Sequence, residues 1–135
     1  LWVPCDYRLV AHSDGDVVLH AVMDAMLGAL ALGDIGLLFP DTDSKFKGAD
    51  SAALTREVRQ LCLQKGNSVS NLDITILCEV PKIGPVREAM RQCIADVLET
   101  PPDRISVKAS TTENLGFVGR GEGVAVMAAI LMRAH

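Results

Sequence analysis

His12, Ser13, Asp16, His20 and Asp24 crowd into "AHSDGDVVLHAVMD", a stretch in which most of the other side chains are apolar. At 100° per residue, Asp16, His20 and Asp24 fall on one helical stripe, at i, i+4 and i+8. Nearly everything else from Val17 to Leu32 is apolar or glycine, which predicts a largely buried helix. A buried imidazole beside two carboxylates must be hydrogen-bonded, ion-paired or bound to metal. The stripe therefore reads in two ways. Asp16 caps the helix and His20 pairs with Asp24, or His20 ligates a metal ion and Asp24 or Asp16 orients it. One histidine does not make a metal site, so further ligands would come from elsewhere. His12 precedes the helix, where free N–H groups and the dipole favour an anion such as phosphate. A plain surface histidine is the competing reading.

The second dense stretch is "KASTTENLGFVGRGEG", residues 108–123. Ser110 and Glu113 have capping-box spacing, so the segment reads as a short capped helix. The same spacing suits a phosphate cradle of hydroxyls and backbone N–H groups from Ser110, Thr111 and Thr112, leaving Glu113 to hold a divalent cation. No Gly-Lys-Ser/Thr follows and no G-x-G-x-x-G opens a helix, which excludes the Walker and dinucleotide-binding patterns. Arg120 is placed to clamp an anion bidentately or to pair with Glu122. Lys82 offers a similar lone positive charge after Pro81. The loop "GDIGLLFPDTD" carries Asp34, Asp41 and Asp43. A calcium loop starting at Asp41 would need Gly and Glu where Phe46 and Ala52 stand, so that reading fails. Asx turns or acceptors for a hydroxylated ligand remain.

The elements that must position these groups follow from periodicity and punctuation. Ser13 as a cap and Gly33 as a stop predict a first helix over 14–32. A second runs from a cap at Asp50 or Ser51 to Gly66. "NLDITILCEV" reads as a strand over 71–80 closed by Pro81. Pro85 sits in the first turn of a third helix, 86–98, which "TPP" ends. "RISVKAS" is another strand, 104–110. Residues 2–10 read weakly as a strand or irregular arm. The apolar run Val124–Met132 reads as a strand apolar on both faces, requiring helices on one side and a symmetry-related subunit on the other; a hydrophobic C-terminal helix is the alternative.

With 135 residues the chain fits one domain, 1–135, burying roughly two-thirds of its unfolded surface. Aromatic residues are only 4%, so the core must be aliphatic. A net charge of −4 with no basic face argues against nucleic acid as partner. Cys5, Cys62, Cys78 and Cys93 show no zinc spacing and suggest a reducing compartment. No apolar run is long enough for a membrane helix.

In order, "AHSDGDVVLHAVMDAMLGALALGDIG", "LFPDTDSKFKGADS", "VPK" and "KASTTENLGFVGRGEG" closely resemble 2-C-methyl-D-erythritol 2,4-cyclodiphosphate synthase, a family of the non-mevalonate isoprenoid pathway. The resemblance implies an α+β fold with a mixed four-stranded sheet covered by helices on one face. It implies a homotrimer with sheets around a three-fold axis and active sites between subunits. The activity implied is conversion of 4-diphosphocytidyl-2-C-methyl-D-erythritol 2-phosphate to the cyclic 2,4-diphosphate with release of CMP. A metal-dependent phosphohydrolase and a trimeric ligand-binding module are the competing functions.

Carried over by position, His20 matches a zinc ligand. His12 and Ser13 match contacts to the methylerythritol phosphate, and His12 and Thr111 match the pair that stabilises the transition state. Asp34, Ile35 and Gly36 match the loop for the erythritol hydroxyls, continued by Phe39, Pro40, Asp41, Thr42 and Asp43. Cys78, Glu79, Val80, Pro81, Lys82, Ile83 and Gly84 match the cytidine pocket. Ser110, Thr111, Thr112 and Glu113 match the diphosphate cradle, Glu113 holding magnesium or manganese. Phe117 and Arg120 match further substrate contacts, and Arg120 with Glu122 lies toward the trimer channel, where the resemblance allows an isoprenoid ligand. The family's other two zinc ligands come from an Asp-x-His motif that does not occur upstream of His12, so the expectation is a chain lacking its first strand. The implied location is the bacterial cytoplasm, or the plastid stroma after removal of a transit peptide.

Overall fold

The computed structural model describes residues 13–39, 48–77, 84–120 and 125–135. Helix α1 spans Ser13–Ala29. A one-turn helix, α2, covers Ile35–Leu38, and α3 covers Gly48–Gln64. Strand β1 (Asn67–Leu77) leads through α4 (Gly84–Leu98) and a 3-10 turn (Pro102–Arg104) to β2 (Ile105–Ser110). A second one-turn helix, α5 (Gly116–Gly119), precedes β3 (Ala125–Ala134).

The sheet is mixed, in the order β2-β1-β3, with β2 parallel and β3 antiparallel to β1. The expected four strands are thus three among the described residues, and the segment 2–10 lies outside them. Period-two alternation decides the faces. Leu72, Ile74 and Ile76 of β1, Ile105 and Val107 of β2, and the partly buried Val126, Ala128, Ile130 and Met132 of β3 turn toward the helices. There they meet Val18, Leu19, Val22, Met23, Met26 and Leu27 of α1 and Ile94, Val97 and Leu98 of α4. Each fully buried Leu, Ile or Met side chain contributes roughly 1.5–3 kcal/mol. The opposite face carries Asp73, Ser106, Lys108, Met127 and Leu131; the last two are 57% and 56% exposed. The C-terminal run is therefore a strand and not the alternative helix, with helices on one side among the described residues.

The helix ends differ from their sequence signals in instructive ways. Gly33 was the expected stop of α1, but the helix closes earlier: Ala31 takes the left-handed conformation (φ 57°) and Leu32 N–H donates to Leu27 O at 2.9 Å. Gly33, at φ 93°, instead turns the chain into Asp34. Helix α4, by contrast, ends at Leu98 as expected, with Glu99 left-handed (φ 49°) and Thr100 N–H donating to Ala95 O at 3.0 Å. Strand β1 begins at Asn67, four residues before its β-branched run, because residues 67–69 pair with 132–134 across a bulge between Val69 and Asn71.

Ion pairs Arg56–Asp96 (3.4 Å) and Arg59–Glu99 (2.8 Å) tie α3 to α4. Arg91 of α4 donates to the carbonyls of Pro102 and Ile105 while pairing with Glu88 at 2.8 Å, fixing where β2 begins. Cys62 is a buried free thiol whose pKa is pushed up by burial. Cys93 is disulfide-bonded, which departs from the expectation of reduced cysteines.

Candidate active site

The stripe on α1 is less buried than the helix's apolarity predicts. Val18, Leu19, Val22 and Met23 enter the core, but His20 and Asp24 are only half-buried. They line a groove of 540 Å³ with Val17, Ala21, Ala25, Val126 and Ala128, between α1 and the start of β3. Asp16 lies in α1, and its side chain is outside the described residues. Asp24 serves the loop beyond the helix: its Oδ1 accepts the backbone N–H of Ile35 at 3.0 Å. That contact spans eleven residues and carries no local sequence signature.

Asp24 thereby holds the loop singled out for erythritol hydroxyls. Asp34 caps α2, its Oδ1 accepting Leu37 N–H at 2.8 Å, so it acts as a turn carboxylate on an exposed residue. Ile35 is buried, Gly36 and Phe39 are half-buried, and Phe39 N–H donates to Ile35 O at 2.7 Å. Pro40, Asp41, Thr42 and Asp43 lie outside the described residues.

Residues 110–113 leave β2 as an exposed turn, not as the capped helix that Ser110 and Glu113 spell. Glu113 and Asn114 both adopt left-handed conformations, φ 55° and 65°, so no helix begins until Gly116. For non-glycine residues such backbone costs of order 1–2 kcal/mol each. Local hydrogen bonds hold it: Glu113 N–H donates to Thr111 Oγ1 at 3.3 Å, Thr112 Oγ1 to Leu115 O at 2.8 Å, and Leu115 N–H to Thr112 O at 3.1 Å. Ser110 Oγ donates to Thr111 O at 3.2 Å. Glu113, Phe117 and Arg120 are exposed beside this turn.

The ladder places these parts together. Leu77, the last residue of β1, pairs with Ser110, the last of β2, and with Ala125, the first of β3. Adjacent strands lie about 4.8 Å apart, so the end of β1, the 110–113 turn and the entrance to β3 share one end of the sheet. Val126, one residue into β3, lines the His20 groove. His12, Cys78, Glu79, Val80, Pro81, Lys82, Ile83 and Glu122 lie outside the described residues; Ser13 opens α1 and Gly84 opens α4. Among the described residues no three His, Cys, Asp or Glu side chains converge on one point, and no helix is long and apolar enough to cross a membrane.

Comparison with known proteins places this geometry. The YgbB family profile matches residues 1–133. The 2-C-methyl-D-erythritol 2,4-cyclodiphosphate synthase of Shewanella frigidimarina is 59% identical over 133 residues, covering 98% of this chain and 84% of that protein. The synthase of Shewanella baltica is 60% identical over 134 residues, covering 98% and 83%. Among solved structures, the bifunctional IspDF from Campylobacter jejuni superposes with a TM-score of 0.84 at 46% identity, over 93% of this chain and 34% of that one. A CDP complex of IspF from Plasmodium falciparum gives a TM-score of 0.80 at 37% identity, over 91% and 74%. A chain matched so fully in sequence and in overall fold belongs to the YgbB family, that of the 2-C-methyl-D-erythritol 2,4-cyclodiphosphate synthases.

Proposed function

We propose that this chain, as a single domain over 1–135, catalyses the conversion of 4-diphosphocytidyl-2-C-methyl-D-erythritol 2-phosphate to the 2,4-cyclodiphosphate, a phosphorus–oxygen lyase reaction. An oxygen of the substrate's 2-phosphate attacks the β-phosphorus. The bond from that phosphorus to the oxygen shared with the α-phosphate breaks, and CMP leaves. No protein nucleophile is needed, so the protein contributes positioning and charge neutralisation. The observation that carries the reading is the convergence of Leu77, Ser110 and Ala125 at one sheet end, which sets the hydroxyl-rich turn after Ser110 beside the end of β1 and the entrance to β3.

In this reading Ser110, Thr111 and Thr112 cradle the diphosphate, and Thr111 with His12 meets charge that develops in the transition state. Ser13 joins His12 on the 2-phosphate. Asp34, Ile35 and Gly36, with Phe39 to Asp43, receive the erythritol hydroxyls, residues 78–84 read cytosine, and Phe117 and Arg120 contact the substrate. Glu113 fits magnesium or manganese, since an exposed carboxylate at a tight turn supplies the hard oxygen such ions take. When bound, that cation neutralises phosphate oxygens. The His20 imidazole fits zinc, which would fix a phosphate in the groove. His20 would be one ligand only, and the family's Asp-x-His pair, which this sequence does not contain, would supply the rest of the set.

The same reading assigns a homotrimer. Its support is the sheet face turned away from the described helices, where Met127 and Leu131 stand exposed on a mainly apolar strand. A bacterial cytoplasm fits the relatives; a plastid stroma is the other location, and an isoprenoid in the trimer channel the other ligand. Incubation of the full-length protein with substrate, zinc and magnesium, followed by phosphorus NMR, tests the activity. CMP with a cyclic diphosphate is expected. Release of inorganic phosphate would instead establish a phosphohydrolase, and binding without turnover a ligand-binding module.

A further inference from the structure

Gly119 closes the one-turn helix α5, and a β-carbon there would collide with the backbone of Asn114: 2.6 Å from its Cα, 2.7 Å from its carbonyl oxygen, and closer still to its carbonyl carbon. The obstacle is main chain, so no rotamer change relieves it. Nor is there slack in the connection. Gly119 N–H donates to Leu115 O at 3.1 Å, Arg120 N–H to Gly116 O at 3.0 Å, and Leu115 O also accepts Thr112 Oγ1. The contact thus joins α5 to the two left-handed residues, Glu113 and Asn114, that turn the chain out of the cradle. Gly119 itself has no left-handed φ to explain its identity; close approach does.

We propose that Gly119 is a positioning residue for Glu113: its lack of a side chain lets α5 seat against Asn114 and so fixes the turn that aims the Glu113 carboxylate at its cation. The inference rests on the reading of Glu113 as a cation ligand. A β-carbon at 119 pushes residues 113–114 away and swings that carboxylate off the diphosphate, while the sheet and the His20 groove stay as they are. The consequence differs from loss of a substrate contact, because divalent-cation binding falls along with turnover while zinc is retained.

The test uses the full-length protein, with Mn2+ affinity in the presence of CDP read by electron paramagnetic resonance, alongside kcat, KM, zinc content and thermal midpoint. G119A is expected to weaken Mn2+ binding and lower kcat at least tenfold each, with zinc content unchanged and KM moved less than kcat. Two further variants approach the turn without touching Gly119. Asn114→Val opposes the left-handed backbone and should reproduce the Mn2+ loss, whereas Asn114→Gly keeps it and should bind Mn2+ normally. Normal Mn2+ affinity in G119A, or in Asn114→Val, overturns the proposal, as does loss of Mn2+ in Asn114→Gly. Glu113→Gln separates the two layers. If it binds Mn2+ and turns over like the parent, the ligand reading itself is wrong; if it is impaired while G119A is not, only the positioning role fails.

Discussion

Asp24 reaches from α1 to the backbone of Ile35, its Oδ1 accepting that N–H at 3.0 Å, while His20 stands one turn earlier in the same groove. The helix that carries the candidate zinc ligand also pins the loop assigned to the erythritol hydroxyls. Asp24→Ala would leave a buried N–H without its partner, which costs about 1–3 kcal/mol. The expected result is a raised KM with zinc still bound. Asp24→Asn keeps an oxygen acceptor and should retain most of the affinity. Zinc analysis beside steady-state kinetics checks both variants, and loss of zinc in either would move Asp24 into the metal site.

His20→Ala should abolish zinc binding and leave the fold standing, because His20 is half-buried at a groove rather than packed in the core. Metal analysis with sedimentation velocity decides. A variant that keeps zinc removes His20 from the ligand set, and one that also loses assembly gives it a structural role instead.

Thr111→Ala should lower kcat at least tenfold while the affinity for CDP changes less than threefold, the pattern of a group that acts mainly in the transition state. Because Thr111 Oγ1 also accepts Glu113 N–H, Thr111→Ser is the informative companion. It preserves the hydroxyl and should recover most of the rate. Equal losses in both variants would point to the methyl group and packing.

Lys108 Nζ lies 2.9 Å from Asp73 Oδ2 on the sheet face away from the described helices, and it holds the Asp73 carboxyl below the usual carboxylate range. A depressed folded-state pKa adds stability above the unfolded value of about 3.9, and that contribution is lost as pH falls through the lower folded value. Both side chains are half exposed, so the pair is worth only about 0.2–1 kcal/mol. Asp73→Asn should therefore unfold at slightly lower denaturant at pH 7, the gap closing in acid and in high salt. An unchanged gap at pH 2.5 would assign the effect to something other than this charge.

Punctuation and period made most of the architecture legible. Pro85 marked the start of α4, Gly66 takes the left-handed end of α3 (φ 82°), and the apolar run after residue 124 became β3. What escaped depends on contacts distant in sequence. The mostly polar residues 67–69 are strand only because 132–134 run beside them, and Ala31 in place of Gly33 ends α1 because the loop beyond must reach Asp24. At the site, the hydroxyls of 110–112 were readable, but the capping-box spacing of Ser110 and Glu113 misled. Two successive left-handed residues leave nothing for the box to cap. The role of Gly119 was hidden for the same reason, since a close approach between backbones leaves no trace in spacing.

The bulge between Val69 and Asn71 sits at the end of β1 opposite Leu77. At about 3.3 Å per residue, roughly 20 Å of unbroken ladder separates it from the end where β1 meets Ser110 and Ala125. Slack in the pairing of β1 with β3 is thus collected far from the chemistry. Fraying of the C-terminal residues, or an insertion near Gly66, can be absorbed there as a local shift in pairing, while the strand end to which the cradle is assigned keeps its alignment. Amide exchange should accordingly run fastest at 67–70 and slow toward 74–77, a gradient of rigidity that rises toward the site.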